Sequence, residues 1–161
     1  MNQTKNSKGG FTLIEILIVI GIVAILATVV LIAINPARQF AQARNSQRTA
    51  NVTAILNAIG QNIADNKGVF SSSCILDANV RFMKAPASGS GEVDIRTCIV
   101  PTYMAELPYD PSTGSFTSPT NYNTGYTVTM SASTKRVTVC APEAANETTI
   151  NPAPPAICLT R

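Results

Sequence analysis

Phe11 to Ile34 is a run of 24 residues in which only Thr12, Glu15 and Thr28 carry polar side-chain atoms, and Gly21 carries no side chain. As a helix rising about 1.5 Å per residue it reaches roughly 36 Å, enough to cross a hydrocarbon core of about 30 Å. A stretch this long and this apolar predicts a membrane-spanning helix rather than a buried core helix. The one charged side chain in it, Glu15, stands near its start and demands a reason.

The rest of the chain excludes several function classes. There is no histidine and no tryptophan. Ser-His-Asp and Cys-His nucleophilic sites are therefore ruled out, as is every histidine-bearing metal site. Acids are sparse and no glycine-rich phosphate loop is present, so no catalytic or cofactor site is legible and the chain reads as a non-enzyme without a cofactor. The net charge is +3, with no block of Lys and Arg and no aromatics interleaved with basic residues, which argues against nucleic-acid binding.

Four cysteines, Cys74, Cys98, Cys140 and Cys158, all follow the apolar run. Zinc sites usually draw ligands from close pairs, and no C-x-x-C occurs here. Wide spacing downstream of an export-type segment predicts two disulfides in an oxidising compartment. Of the three possible pairings, Cys74–Cys98 with Cys140–Cys158 is preferred because each closes a local loop.

Along the chain, residues 1–10 read as a short basic leader carrying Lys5 and Lys8. The apolar run is longer than the h-region of an ordinary signal peptide and is followed by Ile34-Asn35-Pro36, a poor cleavage site. Charge alone leaves the orientation open, because Arg38, Arg44 and Arg48 balance the leader from the other side. Those three arginines are expected to be solvated, to snorkel at the membrane interface, or to meet acids of a neighbouring subunit.

The helical pattern continues beyond the membrane run. Val52, Ile55, Leu56, Ile59 and Ile63 form the stripe of an amphipathic helix. Asn66-Lys67-Gly68 is a stop signal. The pattern predicts about 50 residues of helix, kinked or loosened at Asn35-Pro36.

Residues 69–125 read as loop, with a short helix expected around residues 102–106. "GYTVTMSAS" and "RVTVCAP" alternate as a β-hairpin, and "AICLTR" is a third strand candidate. The expected fold is α+β: a long N-terminal helix, membrane-spanning in its first half and amphipathic in its second, packed on a small antiparallel sheet. The expected divisions are residues 1–10 (leader), 11–35 (transmembrane and assembly helix), 36–66 (amphipathic extension) and 67–161 (globular head).

At "KGGFTLIE" the chain resembles the type IV pilin-like family, which comprises type IV prepilins and the pseudopilins of type II secretion and DNA-uptake machines. That family pattern is a basic leader ending in Gly, then a hydrophobic residue, usually Phe, with Glu as the fifth residue of the mature chain. Gly10, Phe11 and Glu15 stand at those positions. The resemblance implies cleavage between Gly10 and Phe11 by a prepilin peptidase, N-methylation of Phe11, and assembly through the apolar helix and Glu15. It also implies a single-pass protein of the cytoplasmic membrane, its head outside and membrane lipid around it until assembly. The further partners would be other pilin-like subunits and an inner-membrane assembly machinery, ending in an extracellular or periplasmic filament.

Glu15 also has a purely local explanation. Thr12-x-x-Glu15 fits a capping box, and an acid suits the first turn of a helix. "ELPYDPSTG" resembles the loop that precedes the sheet in many pseudopilins, some of which bind calcium nearby. Here Asp110 is the only acid between Glu106 and Glu143, too few hard ligands for such a site, so no metal is expected. The competing reading is an uncleaved, signal-anchored envelope domain that binds a ligand or polymer.

Overall fold

The computed structural model describes residues 10–70, 74 and 76–161; the leader residues 1–9 lie outside the described part. The chain divides into two compact units, Met1–Gln39 and Phe40–Arg161. Helix α1 (Leu13–Ile34) fills the first unit, and none of its residues is buried. Helix α2 (Pro36–Asp65) begins there and continues into the second unit.

Asn35 separates the two helices in a left-handed conformation, φ 45°. It ends α1 and also starts α2, because its carbonyl and its Oδ1 accept from the Arg38 N–H at 3.1 and 3.3 Å. Pro36 at the next position has a fixed φ suited to a first helical turn and no N–H to satisfy. The C-terminal end of α2 closes with Lys67 and Gly68 both at positive φ. Gly68 N–H reaches back to the Ile63 carbonyl at 2.8 Å, as in a Schellman turn.

The second unit is built on one mixed sheet. Its strands are β1 (Arg81–Ala85), β2 (Glu92–Val93), β3 (Ser115–Ser118), β4 (Asn121–Met130), β5 (Val137–Ala141) and β6 (Ile157–Thr160). The order is β2-β1-β4-β5-β6, with β3 also pairing β4. The β4–β5 hairpin pairs Met130 with Val137, and β6 adds antiparallel to β5. Among the described residues the one parallel pair is β1 with β2, so the sheet is larger and less uniform than the three antiparallel strands legible in sequence.

The α2 stripe packs on this sheet. Val52, Ile55, Leu56 and Ile59 are buried with Met83, Tyr126, Val128, Val137 and Val139, and Ile63 is half-buried beside them. Each such aliphatic side chain contributes about 1.5–3 kcal/mol by leaving water.

Two local expectations are corrected. Residues 69–125 are not simply loop, since they hold β1, β2, β3 and the start of β4. The short helix falls at α3 (Arg96–Ile99), and residues 101–103 form a turn instead. Strand β1 hides from pattern reading because its large apolar residue, Phe82, faces out while Met83 and Ala85, on either side of Lys84, are buried.

Disulfides link Cys74 to Cys98 and Cys140 to Cys158. Closing loops with separations of 24 and 18 residues contributes roughly 3 kcal/mol each. The first ties the segment after α2 to α3. The second staples β6 to β5.

Candidate processing and assembly site

Gly10 and Phe11 precede the first helical turn in irregular, exposed backbone, and Phe11 is 82% exposed. The peptide between them therefore lies outside any helix, next to a residue with no side chain to obstruct approach. Thr12 caps α1 with φ −78° and ψ 150°. Its Oγ1 accepts from the Glu15 N–H at 3.3 Å, and Glu15 Oε2 accepts from the Thr12 N–H at 3.3 Å. The Thr12 hydroxyl also donates to Glu15 Oε2 at 3.3 Å. This reciprocal box satisfies donors that a helix start otherwise leaves free. Glu15 thus has a structural role within its own chain, one turn (about 6 Å) along the axis from Phe11.

Beyond Glu15, α1 presents an apolar surface. The Thr28 hydroxyl donates to the Ala24 carbonyl at 2.9 Å, which removes the remaining polar group from its outer face. A Cβ added at Gly21 would meet nothing within 4 Å, so this chain itself does not require the glycine. A small residue at that point permits close approach of another helix. By length and composition α1 is able to cross a membrane.

The arginines expected in solvent are in part buried. Arg38, in the first unit, is exposed, but in the second unit Arg48 is fully buried and Arg44 pairs within the same chain. All five N–H groups of the Arg48 guanidinium have acceptors. Nε donates to Asp110 Oδ2 at 2.7 Å, and Nη2 to Asp110 Oδ1 at 3.2 Å and Ser112 Oγ at 2.6 Å. Nη1 donates to Glu147 Oε1 at 2.6 Å and Asn45 Oδ1 at 2.8 Å. Arg44 grips the same Glu147 in a fork, at 2.7 and 2.5 Å.

The loop around Asp110 is held by close backbone approach. Asp110 N–H donates to the Thr124 carbonyl at 2.7 Å, and a Cβ on Gly125, which sits at φ +74°, would lie 2.8 Å from the Asp110 Cβ. A Cβ on Gly114 would lie 2.5 Å from the Asp110 nitrogen. Only glycine fits at either place.

The electrostatics follow from this geometry. Burial pushes the Asp110 carboxyl up, but bonds from Arg48, Ser112 and Thr113 outweigh it and hold the group at about 2. The Arg44 fork, opposed by burial and reinforced by Arg48, lowers Glu147 to about 2. Burial disfavours the Arg48 charge, yet Asp110 and Glu147 more than compensate and raise its pKa. Asp110 in "ELPYDPSTG" is thus the partner of an arginine. The signal that sequence reading missed is positional: Arg48 lies four residues before Val52, on the line of the buried stripe. A charge there implies a buried counter-charge.

Gly10, Phe11 and Glu15 belong to the first compact unit, and the four cysteines, Arg44, Arg48, Asp110 and Glu147 to the second. Residues 5–31 match the family model described as the prokaryotic N-terminal methylation motif. No curated protein and no solved structure matches the chain.

Proposed function

We propose that this chain, whose N-terminal segment is the class III signal peptide of type IV pilin-like proteins, is a structural subunit, pilin or pseudopilin, of a type IV pilus-like filament. The observation that carries the proposal is α1: an exposed helix of membrane-spanning length, inside the matched motif at its start, whose single carboxylate, Glu15, sits about one turn after the Gly10–Phe11 peptide. The motif and the apolar helix fit membrane anchoring, and the pilin-like signal implies a prepilin peptidase and other pilin subunits as partners.

In this reading, residues 1–10 are a cytoplasmic leader held at the membrane face by Lys5 and Lys8. Residues 11–35 form the membrane and assembly helix, 36–66 its extension, and 67–161 the head outside the membrane. The peptidase cuts after Gly10 and Phe11 is N-methylated. Cleavage creates a cationic amine on Phe11. In an apolar bundle, that amine from an incoming subunit pairs with Glu15 of a subunit already assembled. An unpaired carboxylate in lipid costs several kcal/mol, so pairing favours one axial register.

Envelope filaments sheared from cells expressing the protein and from cells lacking its gene provide the test. The expected result is the processed chain in the sheared fraction, accompanied by filaments reduced or altered in the deletion strain. A protein that stays wholly in the membrane fraction, with unchanged filaments in the deletion strain, supports the signal-anchored binding domain instead.

A further inference from the structure

The two disulfides differ in the properties that govern exchange with an external thiol. Cys74 and Cys98 are buried, at 2% and 9% exposure. Cys158 is exposed and Cys140 half-buried, on the face of the sheet that turns away from α2. Thiol–disulfide exchange needs a thiolate to reach one sulfur along the S–S axis, so access divides the two bridges sharply.

Position in the sheet adds a second difference. Cys140 and Cys158 stand directly opposite each other across β5 and β6, with Cα atoms 4.1 Å apart. Val137 and Arg161 exchange both backbone hydrogen bonds at 2.9 Å. The antiparallel alternation therefore makes Cys140–Cys158 a pair that shares no backbone bonds. β6 is an edge strand of four residues. Apart from its ladder to β5 it is held by the Thr138–Thr160 hydroxyl pair at 2.8 Å, by Arg161 bonded to Asn57, and by contact with the short helical turn Pro142–Asn146. Its half-buried side chains, Ile157 and Leu159, supply the apolar contact. The bridge is thus a large part of what fastens β6.

We propose that Cys140–Cys158 is a thiol-exchange site, opened by an external dithiol reductant that attacks Cys158 Sγ. The attacking thiolate forms a mixed disulfide with Cys158, and Cys140 leaves as a thiolate and takes a proton from water. The second thiol of the reductant, as its thiolate, then attacks the reductant's own sulfur in the mixed disulfide, which releases Cys158 as a thiolate. The net result is one bridge reduced by two electrons and one dithiol oxidised to a disulfide. Opening releases β6 from β5 and uncovers a β5 edge, beside a groove of about 260 Å³ lined by Leu56, Ile59, Ile63, Val137, Lys135 and Arg161. The proposal is independent of the filament reading.

The full-length protein in detergent micelles, without denaturant, is titrated with dithiothreitol, alkylated and mapped by peptide mass spectrometry. Alkylation of Cys140 and Cys158 is expected at about tenfold less reductant than alkylation of Cys74 and Cys98. Opening of both bridges together, or of Cys74–Cys98 first, overturns the proposal. Brief treatment with glutathione followed by acid quench identifies the sulfur attacked. The adduct is expected on Cys158, and an adduct mainly on Cys140 overturns the assignment. Amide exchange then reads the consequence. The Val137 N–H, bonded to the Arg161 carbonyl, is expected to lose protection after partial reduction, whereas unchanged protection contradicts release of β6.

Discussion

Arg48 and Asp110, separated by 62 positions in sequence, meet as a fully buried pair with Nε 2.7 Å from Oδ2. The pair joins α2 to the loop before β3, and Glu147 extends it to the segment after β5. Breaking such a pair from one side leaves a charge stranded in the interior. Arg48→Ala is expected to destabilise the second unit by about 3–5 kcal/mol. Arg48→Lys is expected to recover only part of this, because an ammonium cannot present five donors in a planar fork. Chemical unfolding of the full chain in micelles, followed by circular dichroism, provides the measurement. A loss below about 1 kcal/mol for Arg48→Ala, the range of an exposed ion pair, contradicts this role.

The same pairs predict acid lability. Asp110 and Glu147 are held at about 2, below their ordinary values of 3.8 and 4.5. Above about pH 5 both carboxylates are ionised in folded and unfolded chains alike, and their stabilisation is fully present. As pH falls through 4.5 and 3.8 the unfolded chain binds protons that the folded one does not, so stability drops until the folded groups protonate near 2. The loss is on the order of 2–3 kcal/mol per carboxylate. Thermal melts between pH 7 and pH 2 should show it, with a shallower dependence in Glu147→Gln. An equal slope in that variant excludes Glu147 as a source.

Gly125→Ala tests the packing that places Asp110. The new Cβ meets the Asp110 Cβ, and alanine disfavours a φ of +74°. A cost of about 1–3 kcal/mol is expected. Double-mutant combination with Asp110→Asn should be non-additive, because both changes disturb one contact. Simple additivity contradicts that coupling.

The sequence was most legible where burial imposes a period. The Val52–Ile63 stripe and the β4–β5 hairpin announce themselves in that way, and the apolar run does so by length and composition. β1 and β2 do not, since Phe82 faces outward and β2 is only two residues long. The place of Arg48 on the buried stripe was readable, but its acidic partners were not: they lie 62 and 99 positions away, and no local pattern encodes a pairing over that distance. At the N-terminus the capping box was legible from spacing alone, because both partners lie within one turn.

Glu15 can be divided experimentally into cap and counter-charge. Glu15→Gln retains a side chain able to complete the capping box but removes the charge. Both Glu15→Gln and Glu15→Ala are expected to be cleaved and inserted normally, and both to give few filaments. Wild-type filament yield from Glu15→Gln, with loss only in Glu15→Ala, assigns Glu15 to capping alone.

Maturation at Gly10–Phe11 is checked by mass spectrometry of the amino terminus of protein recovered from the envelope. The expected chain begins at Phe11 and carries one methyl group on its α-nitrogen. An intact Met1–Gly10 leader, or a terminus anywhere beyond the apolar run, contradicts it.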